Sequence, residues 1–168
     1  MTQRAILVLL VCLLSACGFH LRGQAGMPFK TIFLVAPDVN SPFVNELRRN
    51  LLTNKIVIAP AADQADIILN IASEIADKQP LTFDASGRVS EYQLRYRVAL
   101  RAYDNKQQNW MAADEMVLYR NYSYDDTKIL AKEAEEALLA QNMRSDMVQQ
   151  IIRRLSRAKP QVQNGEHQ

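Results

Sequence analysis

The stretch EYQLRYRVALRAY, residues 91–103, alternates apolar and polar side chains along nearly its whole length. Successive side chains of a β-strand point to opposite faces, so the pattern predicts a strand with one core face and one basic face. Asp104-Asn105-Lys106 is typical of a turn, and residues 110–124 then read as the returning strand of an antiparallel pair. If the loop is residues 104–108, Arg97 falls opposite Glu115.

Shorter elements precede this hairpin, and a long helix follows it. Compact apolar runs predict strands at residues 31–35, 55–58 and 67–75. Ser41-Pro42 offers a capping hydroxyl and a proline for the first turn of a helix that should end near Asn54. Asp125 or Asp126 can cap the last helix, whose apolar residues continue at helical spacing to about Leu155.

Each of the two predicted helices carries an apolar stripe, which must be buried against another element, and the predicted sheet offers that surface. We therefore predict an α+β fold, a two-layer sandwich in which both helices pack on one face of a mixed or antiparallel sheet of about four to five strands. The other face of the sheet should stay partly polar, because the outward positions of residues 91–103 include three arginines.

The N-terminus has the three-part layout of an export signal. Arg4 precedes an apolar run over residues 5–14, and small residues follow. This run is shorter than the roughly 20 residues of a membrane-spanning helix. The residues Leu14-Ser15-Ala16-Cys17 resemble the lipobox of bacterial lipoproteins. That resemblance implies cleavage before Cys17 and lipid chains on this cysteine, which would anchor the protein stably to a membrane.

These features divide the chain into four parts. They are a cleaved lipoprotein signal peptide (residues 1–16), a lipidated N-terminus and tether (17–30), a single α+β domain (31–158) and a disordered tail (159–168). Cleavage would remove Cys12 and acylation would occupy Cys17, so the mature chain would have no thiol for a disulfide.

Composition excludes several function classes. The chain has 20 Lys and Arg against 18 Asp and Glu, and this near balance gives no global attraction to nucleic acid. The two histidines, His20 and His167, lie outside the predicted domain, and Gly87 is its only glycine. A histidine-based active site, a His or Cys metal cluster and a glycine-rich phosphate loop are therefore not expected. We expect no enzyme activity, no metal and no cofactor.

Two cations near predicted turns are candidate binding groups. Arg88 follows Gly87 at a predicted hairpin tip, where an exposed guanidinium could bind a phosphate or carboxylate. Lys132 lies in the first turns of the last helix, just after a run of tyrosines, and could meet an amphipathic ligand. The alternatives are a solvated turn residue for Arg88 and a helix pair with Glu135 or Glu136 for Lys132.

The outer face of the first strand quoted above offers a third candidate. Arg95, Arg97 and Arg101 form a basic stripe that could dock a protein or an anionic head group. Cross-strand pairing with Glu115 is the alternative. From the residues alone, the chain is a membrane-tethered binding or scaffold domain without an evident active site.

The residues after the predicted cleavage site carry a resemblance. They read Cys17-Gly18-Phe19-His20-Leu21-Arg22-Gly23, which is similar to the start of the LptE (RlpB) family of lipopolysaccharide-assembly lipoproteins. The resemblance continues in order and spacing through the first strand and helix and the Gly87 hairpin leading to Glu91-Tyr92-Gln93. It reaches the aromatic stretch before Leu130-Ala131-Lys132.

The resemblance implies a fold and a function. The family's two-layer fold agrees with the one predicted here, and its role is not enzymatic. Such a lipoprotein sits as a plug within the β-barrel protein LptD, helps that barrel assemble and assists delivery of lipopolysaccharide to the outer leaflet. Gly18, in place of Asp, matches the family's sorting pattern for the outer membrane. We therefore expect a lipid anchor on the periplasmic side of the outer membrane, with the domain within the barrel.

Within this resemblance, Arg88 and Lys132 are the candidate lipopolysaccharide-binding residues. They would pair with lipid A phosphates while the remaining surface packs against the barrel wall. Two other functions stay open. One is an auxiliary lipoprotein of another cell-envelope complex, and the other is an envelope hydrolase, which would need a buried carboxylate pair in a cleft.

Overall fold

The computed structural model describes residues 26–161. Its elements are β1 (Thr31–Val35), α1 (Pro42–Thr53), β2 (Val57–Ile58), β3 (Ile67–Phe83), β4 (Val89–Tyr103), β5 (Asn109–Ser123) and α2 (Ile129–Leu155), with short 3-10 turns at Ala62–Gln64 and Asp126–Lys128. The predicted order of strands and helices is confirmed. The predicted cleavage site, Cys17 and residues 162–168 lie outside the described range.

The five strands form one mixed sheet in the order β2-β1-β3-β4-β5. β1 runs parallel to β2 and β3, whereas β3, β4 and β5 are antiparallel neighbours. Glu74 and Lys78 project from the same face of β3; Glu74 contacts Ser41 at the start of α1, and Lys78 contacts Glu136 of α2. Both helices therefore cover one face of the sheet, and the predicted α+β two-layer sandwich is confirmed.

Helix α1 begins at a side-chain cap that also joins it to the sheet. The Ser41 hydroxyl accepts a hydrogen bond from the Val44 backbone N–H (3.1 Å) and donates one to the Glu74 carboxylate (2.9 Å). The Tyr96 hydroxyl donates to the other oxygen of Glu74 (2.7 Å). Burial, and then this hydrogen bond, raise the pKa of Tyr96. The cap thus connects α1, β3 and β4.

The core lies toward one end of the molecule. The six buried residues of α2 all fall between Met143 and Leu155, whereas Leu130 and Leu138 in its first half are 82% and 58% exposed. The buried residues of β3 likewise end at Ile71. Within residues 26–161, the core cluster runs from Phe29 to Leu155.

Two ends can be defined from this asymmetry. The proximal end holds the core, the start of β3, the β4–β5 turn and the end of α2. The distal end holds the β3–β4 turn, the end of β5 and the start of α2, where packing is thin.

Strand β3 is longer than predicted, because it continues from Ile75 to Phe83. Residues 76–83 show no alternation of apolar and polar side chains, since both faces of this stretch are largely exposed. Their strand conformation comes from antiparallel pairing with β4, as in the Gln79–Gln93 pair.

Two β-bulges change the predicted register of the β4–β5 hairpin. The observed pairs are Tyr103–Asn109, Ala102–Met111, Leu100–Asp114 and Ala99–Glu115. At the first bulge, Trp110 has no partner in β4. At the second bulge, two residues of β5 lie opposite one residue of β4. Arg97 therefore lies opposite Val117, and the predicted register, with Arg97 opposite Glu115, is wrong. The two side chains still meet diagonally, with Nη1 3.9 Å from Oε1.

Long strand edges are open within residues 26–161. β1 pairs with β3 only over residues 67–70, so the outer edge of β3 from Ile71 to Phe83 has no partner strand there. The outer edge of β5 is open in the same way. Pro80, which has no N–H to offer, and the exposed charges of β5 are features that oppose pairing of such edges with other chains.

Candidate functional site

The β3–β4 turn at the distal end holds Arg88. Gly87 has a φ of 80°, in the left-handed region that favours glycine, and its N–H donates to the Asp84 carbonyl (3.0 Å). The Asp84 carboxylate accepts hydrogen bonds from the Ser86 hydroxyl (2.6 Å) and from the backbone N–H of Ser86 (2.8 Å) and Arg88 (3.0 Å). These bonds, that of the Ser86 hydroxyl foremost, lower the pKa of Asp84 to about 2.

The Arg88 guanidinium lies between two carboxylates. Its Nε is 3.3 Å from Asp84 Oδ2, and its Nη1 is 3.3 Å from Asp126 Oδ2. The side chain is nevertheless 65% exposed. An incoming anion can reach Arg88 without a change of fold, but it must compete with these two carboxylates.

Lys132 is more enclosed than Arg88. Its Nζ donates to Glu135 Oε2 (2.8 Å) and to the Ser123 hydroxyl (3.1 Å), and its side chain is only 16% exposed. The helix pair with Glu135, one of the two alternatives given for Lys132, is therefore present. A ligand must displace Glu135 or approach the ammonium from its remaining open side.

Arg88 and Lys132 lie at the same end of the molecule although 44 positions separate them in the chain. Arg88 contacts Asp126, which precedes α2, and Lys132 contacts Ser123, which ends β5. Ser123 pairs in turn with Glu91, close to the turn that holds Arg88. The fold thus brings both predicted binding residues to the distal end.

A second polar cluster at this end could not be seen in the sequence. Glu136 accepts hydrogen bonds from the Lys78 ammonium (2.7 Å) and the Tyr122 hydroxyl (2.6 Å). The hydrogen bond to Glu136 raises the pKa of Lys78. Burial alone would raise the pKa of Glu136, but the bonds from Lys78 and Tyr122 outweigh it and lower that pKa. This network attaches the first half of α2 to the sheet.

Aromatic rings surround this network. Lys78 Nζ lies 4.8 Å from the centre of the Tyr92 ring, and Tyr92 stacks on Tyr122 with centroids 5.9 Å apart. Tyr124 meets Tyr92 edge to face at 5.1 Å. The tyrosines were visible in the sequence as a run before the last helix, but their cationic partner in β3 was not.

Apolar side chains at the distal end face solvent. Phe83, beside the β3–β4 turn, is 59% exposed, and Leu81, Ile129 and Leu130 are also exposed. Together with Arg88, Lys132 and the tyrosines they make this end amphipathic. A surface of this composition suits a partner with both anionic and apolar parts.

The basic stripe on the outer face of β4 is largely neutralised. Arg95 Nε is 3.0 Å and Arg97 Nη2 is 3.4 Å from the Asp77 carboxylate. The hydrogen bond from Arg95 foremost lowers the pKa of Asp77. Arg101 lies over the Tyr103 ring at 4.6 Å. The cross-strand acid that pairs the stripe is thus chiefly Asp77 of β3, with Glu115 as a minor contact.

Within residues 26–161, no helix is both long and apolar enough to cross a membrane. The same residues contain no group of three or more His, Cys, Asp or Glu side chains that could hold a metal ion.

Comparison with known proteins places this fold and these residues in a family. Residues 29–155 match the family model described as LptE, lipopolysaccharide-assembly. The LPS-assembly lipoprotein LptE of Pectobacterium atrosepticum is 26% identical over 153 residues, covering 89% of this chain and 82% of the relative. The protein of the same name from Yersinia pestis is 28% identical over 157 residues, covering 89% and 73%.

Solved structures agree with this relationship. Lipoprotein B from Nitrosomonas europaea has a TM-score of 0.72 and 35% identity, covering 83% of this chain and 90% of that one. Rare lipoprotein B from Shewanella oneidensis, at 23% identity, shares the fold with a TM-score of 0.66, covering 74% and 92%. The family model spans well over half of the chain, and the sequence resemblance and the fold agree with it: this protein belongs to the LptE family.

Proposed function

We propose that this chain is a non-enzymatic, lipid-anchored protein of the outer membrane that works with an LptD-like β-barrel in the assembly of lipopolysaccharide. The observation that carries the proposal is the match of residues 29–155 to the LptE family, whose relatives are named LPS-assembly lipoproteins. The residues after Cys17 support it independently, because they lie outside the matched range.

The anchor in this proposal is lipid on Cys17. Twelve positions separate Cys17 from Phe29, the first residue of the core cluster. A fully extended segment of that length spans at most about 40 Å. The lipid would therefore keep the domain close to the periplasmic side of the outer membrane.

The domain would act as a plug and assembly partner of the barrel. Its open β3 and β5 edges and its exposed apolar side chains offer main-chain and apolar contacts to an enclosing wall. The core needs none of these groups, so they are available to a partner.

Lipopolysaccharide would contact the distal end. The guanidinium of Arg88 and the ammonium of Lys132 would exchange their present carboxylate partners for phosphates of lipid A. Exposed Phe83 and Leu130 nearby would meet its acyl chains. Arg88 would make the first contact, because its side chain is the more exposed of the two cations.

The partnership is tested by purification from membranes. Outer membranes are extracted with detergent, a tagged form of this chain is isolated, and co-purifying proteins are identified by mass spectrometry. A stoichiometric LptD-like barrel is the expected result. Co-purification of a different envelope complex in its place would contradict the barrel partnership and support an auxiliary lipoprotein of that complex.

The lipopolysaccharide contact is tested by charge reversal. Arg88→Glu/Lys132→Glu should weaken binding of purified lipopolysaccharide, measured by surface plasmon resonance, by about tenfold or more, since two charge-assisted contacts become repulsive. The matched control is Arg49→Glu/Lys55→Glu, which makes the same charge change at two exposed positions outside the distal end.

Folding of each variant is checked by circular dichroism. Arg88→Gln/Lys132→Gln serves as a milder pair, because it adds no charge beside Asp84 and Asp126. Unchanged affinity in both folded pairs would remove these two residues from the site.

A further inference from the structure

A cavity of about 640 Å³ lies at the proximal end, between the start of β5 and the end of α2. Trp110 and Met111, from the bulged part of β5, form one side of it. The end of α2 and the segment that follows form the other. The backbone N–H of Gln161 donates to the Asn109 carbonyl (2.7 Å) and so holds that segment against β5.

The lining of this cavity carries charge of one sign. It includes Arg153, Arg154, Arg157 and Lys159, and no Asp or Glu. Arg154 forms an ion pair with Asp114. The other three cations form no ion pair with any residue from 26 to 161.

The helix dipole accounts for only part of this arrangement. Cations in the last turn of a helix are favoured by its partial negative charge, which suits Arg153 and Arg154. That effect does not require the cations to share a cavity with the indole of Trp110, nor does it explain Lys159 beyond the helix. A ligand explains both features together.

The chemistry of the lining defines that ligand. Guanidinium groups bind phosphate oxygens through paired N–H donors, and several converging cations favour a phosphate over a neutral group. Trp110 and Met111 add apolar surface next to the cations. The cavity therefore suits an anion that carries a phosphate on an apolar body.

The position of the cavity indicates where such a ligand is found. The Phe29 ring meets the Trp110 ring edge to face, with centroids 6.2 Å apart. The chain thus enters the domain beside the cavity, 12 positions after the proposed lipid on Cys17. Lys132 and Arg154 are 22 positions apart along α2, or about 33 Å, so this cavity is separate from the distal end.

We propose that this cavity binds the phosphate of an anionic phospholipid in the membrane leaflet that holds the anchor. The identification of the ligand as a membrane lipid rests on the proposed lipid anchor at Cys17. The binding of a phosphate group by the cations of the cavity does not depend on that anchor. A basic site next to a lipid anchor would add a second attachment to the membrane and turn the proximal end toward it.

The cavity contains its own probe, because Trp110 is the only tryptophan of the chain. The test uses the chain from residue 17 onward with Cys17→Ser, so that no acyl chain contributes to binding. Vesicles of phosphatidylcholine alone are compared with vesicles of phosphatidylcholine and phosphatidylglycerol, both with brominated acyl chains that quench indole fluorescence. Quenching of Trp110 is expected only with phosphatidylglycerol.

Charge removal then tests the site itself. Arg153→Gln/Arg157→Gln should weaken binding to the phosphatidylglycerol vesicles about thirtyfold, from the loss of two cations at an anionic surface. Arg120→Gln/Lys128→Gln removes two exposed cations toward the distal end, away from the proposed membrane-facing end, and should leave binding unchanged.

Three results would overturn the proposal. The first is that phosphatidylglycerol vesicles do not quench Trp110. The second is that both variants weaken binding equally, which would indicate diffuse electrostatic attraction. The third is that inorganic phosphate changes Trp110 fluorescence at the same low concentrations as the lipid, which would indicate a site for soluble phosphate. Because the tested form has no anchor, failure of the barrel partnership would appear in the membrane purification and not in this experiment.

Discussion

An aspartate begins each of the two hairpin turns of the sheet. Asp84 Oδ1 accepts from the backbone N–H of Ser86 and Arg88, and Asp104 Oδ1 accepts in the same way from Lys106 and Gln108. The fourth residue of each turn has a positive φ, at Gly87 and at Gln107. The side-chain donors differ: the Ser86 hydroxyl adds a further hydrogen bond to Asp84, whereas the Trp110 indole N–H donates to Asp104 (3.4 Å).

That hydroxyl gives a prediction for Ser86→Ala. Removing the largest of the interactions that lower the pKa of Asp84 should raise it from about 2 toward 3.8. A carboxylate whose pKa is lowered by folding contributes stability above its unfolded pKa, and this contribution is lost as the pH falls from about 4 to about 2. NMR titration of the side-chain carboxyl carbons measures the midpoint.

Asp104 is the internal control, because it has no serine hydroxyl among its donors. Burial alone would raise its pKa, but the backbone N–H groups of Gln108 and Lys106 hold it below the ordinary value. Its midpoint should be the same with and without Ser86→Ala. A normal midpoint for Asp84 in the unchanged chain would show that the turn hydrogen bonds do not persist in solution.

At the scale of elements, α1 depends on a single cap. Ser41→Ala removes the acceptor for the Val44 N–H and leaves Glu74 with one fewer donor in a mostly buried site. The expected loss is about 1 to 2 kcal/mol in the free energy of unfolding, measured by urea denaturation. Thr53→Ala, at the exposed end of the same helix, should change it by less than about 0.5 kcal/mol. Equal losses would contradict a special role for the cap.

Local signals explain which elements were predictable from the sequence. Serine, proline and a regular apolar stripe fixed both ends of α1 to within one residue, because capping and periodicity are properties of neighbouring residues. The stretch after Ile75 has no buried face and therefore no alternation, so the end of β3 was missed. The bulges of β5 have no recognisable sequence pattern. Because they shift the register of the strand, the position of Glu115 relative to β4 was predicted wrongly.

In the candidate site, too, contacts between near neighbours in the sequence could be predicted, whereas contacts between distant residues could not. The pair between Lys132 and Glu135 spans three positions of one helix and was among the predicted alternatives. The contacts of Arg88 with Asp126 and of Lys78 with Glu136 join residues 38 and 58 positions apart, and only the assembled sheet brings them together. The predicted lipid on Cys17 lies outside the described residues and stays a prediction.

At the scale of the whole molecule, stability should be unevenly distributed. Leu155 is fully buried at the proximal end, whereas Leu138 of the same helix is exposed. Leu155→Ala should cost about 2 to 5 kcal/mol in the free energy of unfolding, and Leu138→Ala less than about 0.5 kcal/mol. Urea denaturation measures both.

Hydrogen exchange gives an independent view of the same asymmetry. Backbone amides of the first half of α2 should exchange faster than those from Met143 to Leu155, since the first half buries no residue fully. Comparable protection along the whole helix, or comparable losses from the two leucine substitutions, would contradict an uneven distribution.

The bulges of β5 also bear on how chains of this kind can change length during evolution. Each bulge holds a residue without a partner in β4, so a deletion there would restore regular pairing while every later residue of β5 kept its neighbour and its face. A one-residue deletion within residues 117–121 would instead place Met116 and Tyr122 on opposite faces of the strand, so that both could not stay in the core. Inherited insertions and deletions should therefore accumulate around residues 110–113 and be rare in the rest of the strand.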